Sequence, residues 1–307
     1  MVTNAEHDLA EWRREEQDYP RESRWLALPS LAGEGARLHY VDEGPRDGEV
    51  VLCLHGNPSW SFYYRGLIAA LTPRYRVIAF DHLGCGFSSR PRNFGYRLAD
   101  HLRIVDEFTR ELALSSLHLL VHDWGGPIGL GWAVRHPERI RSLVISNSAV
   151  FMEDQVARRI RLLTLPLLGE FLIRRCNVFA RAALTMASAK GLSIQQQKGL
   201  LLPYQTYEQR LGIARFVQDI PLSPDHPTAP LLKEIAACLP RLRCPILLAW
   251  GMRDFCFHPG FLARWTKIFP RAEVQPFAEA GHYLLEDEPQ RAPAAIANFL
   301  ARVAGKG

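Results

Sequence analysis

Leu117-His118-Leu119-Leu120-Val121-His122-Asp123-Trp124-Gly125-Gly126, followed by Pro127 to Arg135, decides how this chain folds. Leu117 to His122 is strand-like, and past the two glycines Leu130 and Val134 stand four apart, as on one face of a helix. A strand that turns straight into a helix lifts its apex side chain off the top of a parallel sheet, and small residues just after the apex let the helix pack close. Here the apex is Asp123. A carboxylate is ionised near neutral pH and can attack carbon without a base, giving an ester of the enzyme itself. The competing reading is an Asp that merely caps a helix, so the motif needs partners.

Two partners follow in order. Cys244 to Trp250 reads as a buried strand running into Gly251-Met252-Arg253-Asp254, and Val274 to Phe277 as a short strand before Ala278-Glu279-Ala280-Gly281-His282. Asp123, Asp254 and His282 therefore follow successive strands, where ligands gather in open parallel sheets. Nucleophile, acid, then histidine is the chain order of an α/β-hydrolase triad. Glu153 and Asp154, the nearest acids after the strand Leu143 to Asn147, already belong to the next segment. Upstream, Leu52 to Trp60 ends another apolar strand at the place where this fold supplies one oxyanion-hole N–H, the other coming from Trp124. Asn57 and Trp124 also carry side-chain N–H donors, suited to a departing halide or carboxylate in an apolar pocket.

Through HGNPSW (His55 to Trp60), FDHLGCGFS (Phe80 to Ser88), HDWGG (His122 to Gly126), WGMRD (Trp250 to Asp254) and GHYLLED (Gly281 to Asp287), the chain resembles the haloalkane dehalogenase family of α/β-hydrolases. The likeness spans Leu38 to Leu300. It implies Asp123 as nucleophile, His282 as base, Asp254 as its orienting acid and Asn57 with Trp124 as the anion-stabilising pair, with no metal and no organic cofactor. The acid after the seventh strand, with Arg215-Phe216-Val217-Gln218-Asp219-Ile220-Pro221, is similar to the branch containing β-lactone decarboxylases. Those enzymes turn cis-3,4-dialkyl oxetan-2-ones into cis-alkenes and carbon dioxide in long-chain olefin biosynthesis. The likeness implies an assembly with the upstream enzymes of that pathway. One departure is Val121, where the generic elbow carries Gly.

At 307 residues the chain suits one large α/β domain with an insertion. A formal charge of +5 without any long Lys/Arg run argues against nucleic acid. Arg158, Arg159, Arg161, Arg174 and Arg175 read as a solvated helix face, with an acidic partner or a peripheral contact to an anionic membrane as the alternative. Cysteines 53, 85, 176, 238, 244 and 256 form no C-x-x-C pair and read as buried free thiols of a reducing compartment. The charged N-terminus and the lack of a long apolar run predict a cytoplasmic protein that is not integral to a membrane.

Eight strand candidates emerge: Trp25 to Pro29, Leu38 to Asp42, Val50 to Leu54, Arg76 to Phe80, Leu117 to His122, Leu143 to Asn147, Ile246 to Trp250 and Val274 to Phe277. Helix-length segments separate most of them, which predicts a mostly parallel eight-stranded sheet flanked by helices, antiparallel at its first pair. Gln290 to Ala304 places Ile296, Phe299, Leu300 and Val303 on one helical stripe. Between Phe151 and Pro230 the alternation stops. Val156, Ile160 and Leu163 at helical spacing, with capping boxes at Ser193/Gln196 and Thr206/Gln209, predict an inserted helical cap. The expected division is a charged arm over 1–23, a core over 24–150 and 231–307, and a cap over 151–230. A cap excludes water and lines an apolar pocket, with Phe151, Leu165, Leu168, Phe171, Phe179, Met186 and Phe216 as candidates.

The expected activity is therefore β-lactone decarboxylation on an apolar substrate, with haloalkane dehalogenation as the alternative. An epoxide hydrolase would need cap tyrosines, and Tyr204 and Tyr207 are the only ones. A non-catalytic receptor on this fold would have lost triad members, and here all are present.

Overall fold

The structure is a computed structural model and describes residues 19, 22–151, 158–165 and 167–305. Its sheet has eight strands: β1 (Arg24–Ala27), β2 (Arg37–Glu43), β3 (Val50–Leu54), β4 (Arg76–Phe80), β5 (Leu117–His122), β6 (Ile140–Ser146), β7 (Ile246–Gly251) and β8 (Glu273–Phe277). They lie in the order β1-β2-β4-β3-β5-β6-β7-β8. β2 runs antiparallel to both neighbours, and the other pairings are parallel. β1 stops short of Pro29, which opens a one-turn helix, as a residue with no N–H and a fixed φ does readily. β6 begins at Ile140 rather than Leu143, because Arg141 and Ser142 interrupt the apolar run without breaking the strand.

Alternation along the strands sorts side chains into two cores, one per face. Leu52, Leu54, Leu119, Val121, Leu143, Ile145, Leu248 and Trp250 join the first core. Val51, Cys53, Leu120, Val144, Leu247 and Ala249 join the second. On the second, α1 (Arg65–Leu71) contributes Leu67, Ile68 and Leu71; on the first, α2 (Leu98–Glu111) contributes Leu102, Val105 and Phe108, and α3 (Gly125–Ala133) contributes Ile128, Leu130 and Trp132.

Between β6 and β7 come the cap helices α4 (Arg158–Leu163), α5 (Leu168–Arg174), α6 (Val178–Met186), α7 (Ile194–Leu201) and α8 (Leu211–Gln218). Ser193 and Gln196 form the expected capping box on α7. Thr206 and Gln209 also exchange hydrogen bonds, though they open a 3-10 turn leading into α8. After the cap, α9 (Ala229–Cys238) returns to the first core through Leu232 and Ile235, followed by α10 (Pro259–Ile268). The last helix, α11 (Arg291–Ala304), lays Ile296, Phe299 and Leu300 on the second core as expected.

Three expectations change. Arg174 does not lie on a solvated face: it is buried, ion-paired with Glu170 and Glu208, and stacked over the Tyr207 ring at 3.8 Å. Cys176 is exposed and Cys238, Cys244 and Cys256 are half-buried, so only Cys53 and Cys85 are fully buried thiols. Tyr19, near the end of the expected charged arm, is buried against Trp60 and Phe62, with its hydroxyl 2.8 Å from Ser61 Oγ. The rest of that arm up to residue 18, and the segment 152–157 containing Val156, lie outside the described residues.

Candidate active site

Asp123 sits at the β5–α3 turn with φ of +50°, a left-handed conformation that non-glycine residues rarely adopt and that costs about 1–3 kcal/mol unless the surroundings impose it. They do. The Asp123 N–H donates to the Asn147 carbonyl, and its own carbonyl accepts from Gly126 N–H and the Ser148 hydroxyl. Two glycines make room. A Cβ on Gly125 would stand 1.9 Å from the Leu54 carbonyl oxygen, and one on Gly56 only 2.2 Å from Asp123 Cβ.

The backbone N–H of Asn57 donates to Asp123 Oδ1 at 2.7 Å, and the Trp124 N–H supports the same carboxylate. Across from it, His282 Nε2 is 3.8 Å from Asp123 Oδ2, while Nδ1 meets Asp254 Oδ2 at 2.8 Å. Asp254 in turn accepts from the backbone N–H groups of Cys256 and Phe257 and from Asn147 Nδ2. Burial raises the Asp123 carboxyl above the usual carboxylate range, and His282 with the two backbone N–H groups offsets only part of that. Burial opposes charge on His282 as well, but there the Asp254 carboxylate prevails and the imidazole is raised above its ordinary value. The tertiary structure thus brings Asp123, His282 and Asp254 together, in the chain order expected.

Asn57 and Trp124 stand beside Asp123, with a refinement. Asn57 Nδ2 donates to the Ile213 carbonyl at 3.3 Å, leaving its second N–H for an incoming anion. The Trp124 ring packs on Phe216 at 5.3 Å.

An apolar cavity of about 100 Å³ adjoins the carboxylate, lined by Ile160, Leu163, Phe179 and Met186 of the cap, with Asn57, Asp123 and His282 as its polar end. Of the expected pocket residues, only Phe179 and Met186 line it. Phe151 instead stacks on Phe261 and Trp265 in the first core. Phe216 is buried behind Trp124 and against His101. Leu165, Leu168 and Phe171 point outward, at 47%, 46% and 56% exposure. Helical periodicity marks an apolar face without saying what that face meets. The cap tyrosines are not aimed at Asp123: Tyr204 is buried and bonds Ser59 and Gly86, and Tyr207 is 41% exposed.

Three supporting residues were not singled out from the sequence. Asn147, at φ of +36°, bridges the loops by accepting from Gly251 N–H and donating to Asp254. His122 donates from Nε2 to the His282 carbonyl at 3.0 Å and stacks on Tyr63. Burial holds its pKa well below the ordinary value, so it stays neutral. Asp287 accepts from Gly281 N–H, next to His282, and from Ser188 Oγ and the backbone N–H groups of Ala189 and Lys190 in the cap. A signal for Asn147 exists, an amide at a strand end, but pairing across loops leaves no periodic trace. Asp287→Ala removes four hydrogen bonds, two of them from the buried donors Gly281 N–H and Ser188 Oγ, and is expected to lower unfolding stability by about 3 kcal/mol. An unchanged urea midpoint would remove Asp287 from this linking role.

A family model described as the alpha/beta hydrolase fold matches residues 49–289. The chain belongs to the α/β-hydrolase family. It is 39% identical to the cis-3-alkyl-4-alkyloxetan-2-one decarboxylase of Xanthomonas campestris pv. campestris, over 87% of this chain and 93% of that one. The enzyme of the same name from Shewanella oneidensis is 40% identical over 88% of this chain and 87% of its own. Haloalkane dehalogenase 2 of Mycobacterium tuberculosis is 35% identical over 91% of this chain and 95% of its own. Among solved structures, an ancestral haloalkane dehalogenase superposes with a TM-score of 0.84 at 28% identity, covering 92% of this chain and 99% of that one. These relatives are enzymes, and both kinds of activity are compatible with the fold.

Proposed function

We propose that this protein converts a cis-3,4-dialkyl β-lactone into a cis-alkene and carbon dioxide, with Asp123 as nucleophile. The observation that carries the nucleophile is the elbow carboxylate itself, held by two backbone N–H groups and facing His282. The preference for a lactone rests on the 39–40% identity to decarboxylases, against 35% to a dehalogenase.

In this reading an Asp123 oxygen attacks ring carbon C4, and the C4–O bond breaks with its electron pair left on the ring oxygen. That yields an alkyl ester of Asp123 and a β-carboxylate, received by the second Asn57 amide N–H and Trp124 Nε1–H. The C3–carboxylate electron pair then forms the C3=C4 bond as the C4–O(Asp123) bond breaks, releasing carbon dioxide and restoring the carboxylate. Inversion at C4 followed by departure from the opposite face keeps the alkyl groups cis. No water or proton is consumed. The His282 imidazolium, held by Asp254, stabilises the carboxylate of Asp123 as it is restored. The enzyme is proposed to work in the cytoplasm and, on the same likeness, in an assembly with the enzymes that make its lactone.

The second reading is hydrolytic dehalogenation, favoured by the superposition on haloalkane dehalogenases. There halide leaves, and His282 takes a proton from water that attacks the ester carbonyl, with the oxyanion between Asn57 N–H and Trp124 N–H. Water then enters Asp123. Multiple turnover in oxygen-18 water should leave Asp123 unlabelled with β-lactone and label it with bromoalkane; label acquired during alkene formation would overturn the ester-fragmentation route.

Acidity separates the routes too. Halide turnover needs neutral His282, whose pKa is raised, so it fails as pH falls through a value above the ordinary histidine range. Alkene formation needs only ionised Asp123. Its rate should persist below the histidine limb and fail nearer the carboxylate range, on the high side because Asp123 is itself raised. Coincident acid limbs for alkene and halide would remove this distinction.

A further inference from the structure

The outward-facing cap residues form an unusual surface. Leu162, Leu165, Leu167, Leu168 and Phe171 are 49%, 47%, 86%, 46% and 56% exposed. All lie at the corner where α4 turns into α5, and the turn closes through Gly169 N–H to the Leu165 carbonyl and Phe171 N–H to the Leu167 carbonyl. Leu168 and Phe171 on α5, with Arg175 at its C-terminal cap, recur at i, i+3 and i+7, while Gly169 and Ile173 are buried behind them. Five large apolar side chains within ten residues of chain exceed the scattered exposure normal for a soluble surface.

Charge says what covers this corner. Arg174 is engaged with Glu170 and Glu208, whereas Arg161, next to Leu162, and Arg175, four residues past Phe171, are exposed. Leu167 is the most exposed of these side chains, and arginines flanking exposed apolar residues match the boundary between anionic headgroups and acyl chains. Among the described residues no helix is long and apolar enough to cross a membrane, so contact is at the interface. The position also matters for the cavity. α4 sends Ile160 and Leu163 into the cavity wall while Leu162, on the same helix, faces out.

We infer that the α4–α5 corner of the cap docks reversibly on an anionic lipid surface, next to the wall of the apolar cavity. An apolar substrate dissolved in that surface then has a short path to Asp123. The docking itself does not depend on which reaction Asp123 performs, and it is measured without turnover.

Full-length protein is floated with vesicles of phosphatidylcholine alone or of equal parts phosphatidylcholine and phosphatidylglycerol. Binding is expected to the anionic vesicles only and to weaken with added salt. Leu167→Glu with Phe171→Glu should lower the partition coefficient at least tenfold, and Arg161→Glu or Arg175→Glu about fivefold or more each. Circular dichroism and the urea midpoint of these variants should match wild type, which reports that they fold. Flotation equal in the two vesicle types, or unaffected by Leu167→Glu with Phe171→Glu, overturns the proposal. So does a wild-type dimer in sedimentation velocity that the same double substitution makes monomeric, because the corner then belongs to a second copy.

Discussion

Asp123→Asn is expected to give a folded protein whose turnover of both β-lactone and bromoalkane falls by about 10⁴-fold or more. An amide is a far weaker nucleophile than an ionised carboxylate, and the Cys256 thiol and Tyr283 hydroxyl that also line the cavity are kept protonated by burial. The fold should tolerate the change well. Asparagine is among the residues that accept a left-handed backbone most easily, and Asp123 holds φ of +50°. Its amide oxygen can still accept from Asn57 N–H, and removing a buried carboxylate whose ionisation burial opposes costs the native state little. Circular dichroism and the urea midpoint should therefore match wild type while alkene and halide release disappear. Near-normal rates in this folded variant would sink the nucleophile assignment and every step derived from it.

The second large effect separates ester formation from ester hydrolysis. Attack by ionised Asp123 needs no base, but hydrolysis does, so His282→Ala given a bromoalkane should stop after one turnover with the alkyl group on Asp123. Intact mass should rise by one alkyl group per chain, and peptide mapping should find it between Leu117 and Arg135. With β-lactone the same variant should release alkene more slowly and keep no adduct, because fragmentation empties Asp123 without water. Continued halide release over many turnovers with unmodified Asp123 would mean that His282 is not the base. Loss of the first alkylation as well would mean that the imidazolium orders the carboxylate, which sits 3.8 Å from His282 Nε2.

Where the sequence and the structure part company is instructive. Arg174 illustrates it: in the chain it belongs to an arginine-rich run, but α5 turns it inward to Glu170 and Glu208, leaving its neighbour Arg175 outside. Leu165, Leu168 and Phe171 show the reverse, apolar residues expected inside and found outside.

The sequence by itself determined the sheet and which three side chains, Asp123, Asp254 and His282, meet at its edge. Strands announce themselves by apolar runs of fixed length, and the elbow by a strand, an acid and two glycines in succession, all local patterns that backbone geometry imposes on neighbours in the chain. Asp123, Asp254 and His282 were legible because each lies in the loop that follows a strand of a parallel sheet, so topology alone carries them to one edge. Only the tertiary structure decided the rest. Which faces of the cap helices meet the cavity, how Asn147 and Asp287 tie separate loops to the triad, and which arginines remain free all depend on contacts between segments far apart in sequence, as with the 107 positions between Asn147 and Asp254. Such pairings follow from packing and the satisfaction of buried donors, and neither leaves a period in the chain for a reader to find.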